Sequence, residues 1–99
     1  MNNPPNKEVG KAFGNRIEVI EKKLSEQKEY PVDSFEVKKI IGEYGFVMKQ
    51  FSQVKHEAGM MLSIATNYRD ERAKTLLDEK YGEGFSEFAA RAIKAFYKD

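Results

Sequence analysis

The chain has 99 residues, of which 40% are hydrophobic and 33% are charged. At this length we expect one domain, because each half of a divided chain would be too small to bury a core. The 17 basic and 16 acidic side chains are interleaved and leave a net charge of +1, so no basic face predicts binding of nucleic acid. The chain has no cysteine, which excludes disulfides, thiolate metal sites and a cysteine nucleophile.

The composition along the chain indicates a soluble protein. The opening residues, MNNPPNKEVG, contain no apolar signal segment, and no apolar run approaches the length that spans a bilayer. We therefore expect a cytoplasmic protein that does not enter a membrane.

The first periodic run predicts an amphipathic helix. Asn3 is placed to cap this helix, with Pro4 at its first helical position. Gly10 and Gly14 each weaken the helix by about 1 kcal/mol relative to alanine, so we expect its N-terminal half to fray. The apolar residues, spaced by three or four, are Val9, Phe13, Ile17, Ile20 and Leu24.

A second helix is predicted to begin shortly after Pro31. Asp33 is interpreted as its N-cap, with Glu36 completing a capping box and Val32 and Val37 forming a hydrophobic staple. The apolar stripe of this helix is Val37, Ile40, Ile41, Tyr44, Met48 and Phe51.

Three further helices complete the predicted fold. The third run, residues 56–68, has an inner face of Ala58, Met61, Leu62, Ala65 and Tyr68. Asp70 is placed to cap the fourth run, residues 71–81, with an inner face of Ala73, Leu76, Leu77 and Tyr81. After a break at Gly82 and Gly84, the last run has an inner face of Phe85, Phe88, Ala89, Ala92, Ile93 and Phe96. The pattern predicts an all-α, five-helix domain with short connections.

The reactive side chains do not predict an enzyme. The only histidine, His56, lies near a predicted helix start and is interpreted as a surface residue. Gly82-Glu83-Gly84 has neither a preceding strand nor a P-loop lysine and is therefore interpreted as a hairpin turn between helices. We expect no catalytic residues, no metal and no cofactor.

Aromatic and methionine side chains are the more informative group. There are seven Phe, five Tyr and four Met residues, and Met60 and Met61 are adjacent. Such side chains suit an apolar pocket that adapts to varied ligands, although as single residues they more often fill a core.

Several of these segments together resemble a known family. The motifs DSFEV at residues 33–37, YRDER at 68–72 and KYGEGF at 80–85, followed by Phe88 and Ala92-Ile93, look like the TipAS-type antibiotic-recognition domain. This domain is the C-terminal sensor of MerR-family, thiopeptide-responsive regulators, and related stand-alone proteins bind drugs. The resemblance covers residues 31–97 and implies a compact, globin-like helical fold with an antibiotic cleft between its helices.

The chain departs from the family pattern in three ways. The family's archetype captures thiopeptides covalently through a cysteine, and this chain has none, so covalent capture is not expected. No winged-helix segment is present, so we expect either a free-standing domain or a sensor excised from a regulator. Tyr44 and Gly45 stand where a histidine and a large aromatic residue would be more usual; Gly45 is expected to leave a gap, either filled by a neighbour such as Phe13 or open as part of a cleft.

The leading interpretation is a single TipAS-like domain, residues 1–99, that binds a bulky and largely apolar molecule without covalent bonds. Residues 1–30 are expected to form a mobile leading helix, and residues 31–99 the helical scaffold. The ligand is expected to be a hydrophobic small molecule such as an antibiotic, thiopeptide-like compounds included. Its predicted lining is Phe13, Ile17, Tyr44, Met48, Phe51, Met60, Met61 and Tyr68. The predicted structural core includes Leu76, Leu77, Phe88, Ile93 and Phe96.

An alternative interpretation is a protein-interaction or dimerisation module without a small-molecule ligand. Tyr30, Phe46 and Tyr97 lie off the main apolar stripes and are its candidate exposed anchors. A homodimer is compatible with either interpretation.

Overall fold

The computed structural model describes the backbone of residues 6–98 and the side chains of residues 9–98. Within that range five helices follow one another in chain order, and no strand is present. They are α1 (Asn6–Ser25), α2 (Phe35–Ser52), α3 (Glu57–Tyr68), α4 (Glu71–Tyr81) and α5 (Phe85–Tyr97). The all-α, five-helix prediction is confirmed, whereas the predicted cap at Asn3 and Pro4 lies outside the described residues.

Helix α5 lies against each of the other four helices. Its small and apolar residues let α2 and α3 approach closely, and the buried residues of this helix are Phe85, Ser86, Phe88, Ala89, Ala90, Ala92 and Ile93. The residues that α2 and α3 bury against it are Val37, Ile40, Ile41, Tyr44, Val47, Met61, Ala65 and Tyr68. The predicted core residues Phe88 and Ile93 are confirmed, and Leu77 is half-buried against the same core.

Helix α1 joins the core through its second half. Ile20 and Leu24 are fully buried, and α1 packs mainly against α2. Two exposed ion pairs support the same half of the helix: Lys23 to Glu43 on α2 at 3.1 Å, and Lys80 on α4 to Glu18 at 2.7 Å.

The start of α2 differs from the prediction. Ser34, not Asp33, is the N-cap: its backbone is extended at φ −67° and ψ 158°, and its carbonyl accepts the Lys38 N–H at 2.9 Å. A turn in which the Ser34 N–H donates to the Pro31 carbonyl at 3.1 Å delays the helix by one residue. The predicted capping box and staple, which depend on Asp33, are therefore wrong.

The α4–α5 hairpin is confirmed, and it carries its own cap. Asp70 accepts the Ala73 N–H at 3.4 Å, as predicted for the start of α4. At the turn Gly82 and Gly84 have φ of +109° and +86°, values that favour glycine. The Asp78 carboxylate then accepts the N–H groups of Gly84 at 3.2 Å and Ser86 at 2.8 Å, so a side chain of α4 caps α5.

On helices α3 to α5, the burial of four side chains differs from the prediction. Ala58 is exposed at the first turn of α3. Leu76 is 66% exposed because α4 packs on one side only and buries none of its residues completely. Phe96 is 40% exposed. Tyr97, predicted to be exposed, is instead half-buried and packs against the core.

Candidate functional site

The apolar stripe of α1 becomes progressively uncovered toward its N-terminus. Ile20 is buried, Phe13 and Ile17 are half-buried, and Val9 is 50% exposed. An alanine Cβ at Gly10 or Gly14 would meet no neighbouring atom within 4 Å. The first turns of α1 are thus loosely covered, and they leave apolar surface beside the end of α2.

An aromatic cleft lies between these turns of α1 and the last turn of α2. The rings of Phe13 and Phe51 face each other with centroids 5.0 Å apart and planes tilted by 50°. The space beside them is about 240 Å³ and is lined by Val9, Gly10, Phe13, Phe51 and Ser52. This α1–α2 cleft has an apolar, aromatic wall, and its lining contains no charged side chain.

The eight residues predicted to contact a ligand fall into three groups. Phe13 and Phe51 line the α1–α2 cleft. The residues that are half-buried against the core without lining this cleft are Ile17, Met48 and Met60. The residues that lie in the closed core are Tyr44, Met61 and Tyr68. A ligand can reach this last group only if helices move apart, so their role in binding stays a prediction.

A buried carboxylate lies behind the cleft, one turn before the end of α1. Glu21 is only 8% exposed, and it accepts hydrogen bonds from Tyr68 Oη at 2.6 Å and Tyr81 Oη at 3.1 Å. Tyr44 Oη lies 2.6 Å from Tyr68 Oη. Because the single Tyr68 hydroxyl hydrogen is committed to Glu21, Tyr44 donates to Tyr68. One side chain from each of α1, α2, α3 and α4 meets in this tyrosine–carboxylate network.

The network favours protonated phenols beside an acceptor carboxylate. Burial raises the pKa of Tyr44 and of Tyr68 well above the ordinary phenol value, and the nearby Glu21 charge raises both further. Burial also raises the pKa of Tyr81, which Glu21 reinforces. Each phenol therefore stays a donor at neutral pH, and the network ties α1 to its three neighbours.

Sequence reasoning missed Glu21, although a signal was present. Glu21 lies four residues after Ile17 and three before Leu24, on the buried stripe of the first helix. A carboxylate on a buried face requires hydrogen-bond donors, and three predicted inner-face tyrosines were available. The helix pairing that brings them together is a tertiary property that spacing does not contain.

The gap expected at Gly45 is filled, and not by Phe13. The Tyr97 hydroxyl donates to the Glu57 carboxylate, and both groups lie over Gly45 so closely that a Cβ there would collide with them. Burial raises the pKa of Tyr97 far above its usual value, and the hydrogen bond to Glu57 raises it further. The residue pair Tyr97–Glu57 thus closes this face of α2 and links the end of α5 to the start of α3.

A second, larger groove lies beside the Tyr97–Glu57 pair, between α2 and the end of α5. Its volume is about 600 Å³, and its lining residues are Gly42, Phe46, Lys49, Gln50, Glu57 and Phe96. A further depression on α4 is formed by residues of that helix alone: Glu71, Arg72, Thr75 and Leu76.

Other kinds of site are not apparent in the part of the chain that the structure describes. Among the described side chains, residues 9–98, no group of three histidine, aspartate or glutamate residues is placed to hold a metal ion. His56 is exposed at the N-cap of α3, as predicted. None of the five described helices is long and apolar enough to cross a membrane.

A comparison with known protein families identifies the family of this chain. A family model described as the TipAS antibiotic-recognition domain matches residues 5–96. The chain belongs to the TipAS family. The resemblance inferred from the motifs of the second to fifth helices is confirmed, and the match also includes the whole of α1. No curated protein and no solved structure matches the chain. As a TipAS domain, the chain belongs to a family of ligand-recognition domains and not to an enzyme family.

Proposed function

We propose that this TipAS domain binds a bulky, largely apolar molecule such as an antibiotic, without covalent bonds, at the α1–α2 cleft. The observation that carries the proposal is the pair of facing rings, Phe13 and Phe51, at the least covered part of α1 in a chain of this family. The chain has no cysteine through which to capture a ligand. Each 100 Å² of apolar ligand surface removed from water contributes roughly 2.5 kcal/mol before ordering costs.

Binding of a large ligand requires the cleft to open. A volume of about 240 Å³ is below the roughly 300–1,000 Å³ of pockets that enclose drug-sized molecules. The first turns of α1 are the element that can yield, because Val9, Gly10 and Gly14 make few contacts there. Their displacement would extend the cleft toward Ile17, Met48 and Met60, and a larger separation would reach Tyr44, Met61 and Tyr68.

The leading helix and the remaining scaffold accordingly have different roles in this proposal. The tyrosine–carboxylate network holds α1 at Glu21, so opening would pivot about that point and leave residues 31–98 in place. In hydrogen exchange without ligand, the amides of residues 6–19 should exchange faster than those of residues 20–25. Equal, full protection along the whole of α1 would contradict the pivot.

A thermal-shift screen against thiopeptides and other hydrophobic antibiotics tests the binding. A ligand at 100 times its dissociation constant should stabilise the domain by about 2.7 kcal/mol. Phe13→Ala and Phe51→Ala should each reduce that shift, whereas Leu76→Ala, which alters an exposed leucine on α4, should not. A shift that persists unchanged in both phenylalanine variants would contradict the proposed site.

The same binding would serve a ligand sensor within a MerR-type regulator or a cytoplasmic protein that sequesters a drug. We favour neither from the site itself. The two roles separate in a promoter assay, where a sensor changes transcription on addition of ligand and a sequestering protein only lowers the free ligand concentration.

The dimerisation alternative has weaker support in the structure. Of its three proposed anchors, Tyr30 and Phe46 are exposed, whereas Tyr97 is half-buried and hydrogen-bonded to Glu57. Sedimentation of the unliganded protein tests it, and a dimer that persists at low micromolar concentration without any ligand-dependent stabilisation would favour it.

A further inference from the structure

The groove between α2 and the end of α5 has the size and walls of a ligand site. Its volume of about 600 Å³ lies within the range of pockets that hold small molecules, unlike the α1–α2 cleft. Phe46 on α2 is 63% exposed and Phe96 on α5 is 40% exposed, and both side chains line the groove. The two rings offer apolar surface that the protein itself leaves uncovered.

Neighbouring residues hold one of these walls in place. The Phe96 ring lies against α2 at Gly42, 3.6 Å from the position that a Cβ would occupy there, which is an ordinary contact distance. On its other side Phe96 packs against Tyr97, with ring centroids 4.7 Å apart. Tyr97 is fixed in turn by its hydrogen bond to Glu57. The aromatic wall is therefore supported before any ligand enters.

The groove lining holds one charge of each sign, and the positive one forms no ion pair among the described side chains. Glu57 carries the only negative charge in the lining, and its carboxylate already accepts the Tyr97 hydroxyl. Lys49 carries the only positive charge, it is exposed, and it forms no ion pair within the described residues. Gln50 adds an amide donor beside it. Lys49 lies one helical turn beyond Gly45, over which Glu57 sits, and no ion pair joins Lys49 to Glu57.

We propose that this groove is a second small-molecule site, which takes a planar aromatic anion with its ring between Phe46 and Phe96 and its negative group at Lys49. The site is independent of the α1–α2 cleft. Its occupant would be smaller and flatter than the antibiotic proposed there, and it carries a carboxylate or sulfonate. Such a ligand places apolar area on the two rings and completes the ion pair that Lys49 lacks.

A pair of fluorescent probes tests both parts of this proposal. 8-Anilinonaphthalene-1-sulfonate carries a sulfonate on a flat naphthalene ring, and N-phenyl-1-naphthylamine is the same ring system without the sulfonate. The 99-residue chain is titrated with each probe, and fluorescence enhancement gives the dissociation constants. Lys49→Gln should weaken binding of the sulfonate about 2- to 5-fold and leave the neutral probe unchanged. Phe46→Ala should weaken binding of both probes.

The controls separate this site from the cleft and from a dimer interface. Phe46 and Lys49 are exposed, so circular dichroism should show the same unfolding transition in both variants as in the parent. Phe13→Ala, in the α1–α2 cleft, should leave the affinity for the sulfonate unchanged. The proposal is overturned if Phe13→Ala removes the binding, if Lys49→Gln weakens both probes equally, or if Phe46→Ala has no effect. A dimer that dissociates on Phe46→Ala would also overturn it, since the groove would then be a protein interface.

Discussion

Replacing Tyr68 by phenylalanine tests whether the tyrosine–carboxylate network stabilises the fold. The substitution removes one hydroxyl, which donates to Glu21 at 2.6 Å and lies 2.6 Å from the Tyr44 hydroxyl. The buried Glu21 carboxylate then keeps only its longer hydrogen bond. The Tyr44 hydroxyl loses the oxygen to which it donates. The ring packing against Phe85, with centroids 6.0 Å apart, is retained.

The magnitude follows from the charge and burial of these groups. A hydrogen bond to a charged group contributes about 1.5–3 kcal/mol, and an orphaned buried donor costs about 1 kcal/mol more. We therefore expect Tyr68→Phe to lower the free energy of unfolding by about 3 kcal/mol. A domain of this size has a total stability of roughly 5–15 kcal/mol. A loss of about 3 kcal/mol should lower its Tm by about 12–24 °C.

Tyr81→Phe is the matched control, because it removes a hydroxyl from the same carboxylate. Its hydrogen bond is longer, at 3.1 Å, and Tyr81 is half-buried, so water can replace it. The expected loss is about 1 kcal/mol or less. Tyr44→Phe should cost about 1 kcal/mol alone and should recover about 1 kcal/mol in the Tyr68→Phe background, where it removes the orphaned donor.

Urea unfolding followed by circular dichroism at 222 nm measures these differences, and unchanged m-values would show that the unfolded state is unaffected. The reasoning is refuted if Tyr68→Phe costs less than 1 kcal/mol, or if Tyr81→Phe costs as much as Tyr68→Phe. Additive effects of Tyr44→Phe and Tyr68→Phe would refute the hydrogen bond between the two hydroxyls.

Three further predictions concern other parts of the fold. Asp78→Ala removes the acceptor of two N–H groups at the start of α5 and should cost about 1–2 kcal/mol in urea unfolding, against a smaller effect for the exposed Glu79→Ala. Gly45→Ala should displace the Tyr97 ring and cost about 2 kcal/mol or more; retention of the Tyr97 aromatic NMR shifts in that variant would contradict the close approach. The raised phenol pKa values mean that folding favours the protonated tyrosines. This contribution to stability is complete below the phenol pKa of the unfolded chain, near 10, and is lost as the pH rises above that value. Stability should therefore fall from about pH 10 upward. Absorbance at 295 nm should then show most tyrosines ionising together with unfolding, and gradual ionisation of all five in the folded protein would contradict this.

The helical periodicity of the sequence predicted most of the fold. The bounds of α4 and its cap at Asp70 were predicted correctly, because a short polar cap, an apolar stripe and a following glycine are all local signals. The start of α2 was placed one residue early, because Asp33 and Ser34 are both good caps and the turn after Pro31 decides between them.

Features that depend on how helices meet could not be predicted in this way. Leu76 satisfies the spacing of α4, yet no helix covers it. Glu21 is a charged residue on the apolar stripe of α1, yet hydroxyls of tyrosines from two other helices satisfy it. Likewise the Tyr97–Glu57 pair over Gly45 joins three elements that are distant in sequence. Spacing identifies a helix face, but only the packing shows what covers that face.

Chemical-shift mapping with the antibiotic that stabilises the domain most is the direct test of the proposed ligand site. The ¹H–¹⁵N spectrum is recorded while that ligand is added to the 99-residue chain. The account predicts that the largest shifts belong to residues 9–14 of α1 and to the end of α2 around Phe51 and Ser52, with the α4–α5 hairpin little changed. Largest shifts on α4 and α5, with the α1–α2 cleft undisturbed, would contradict it.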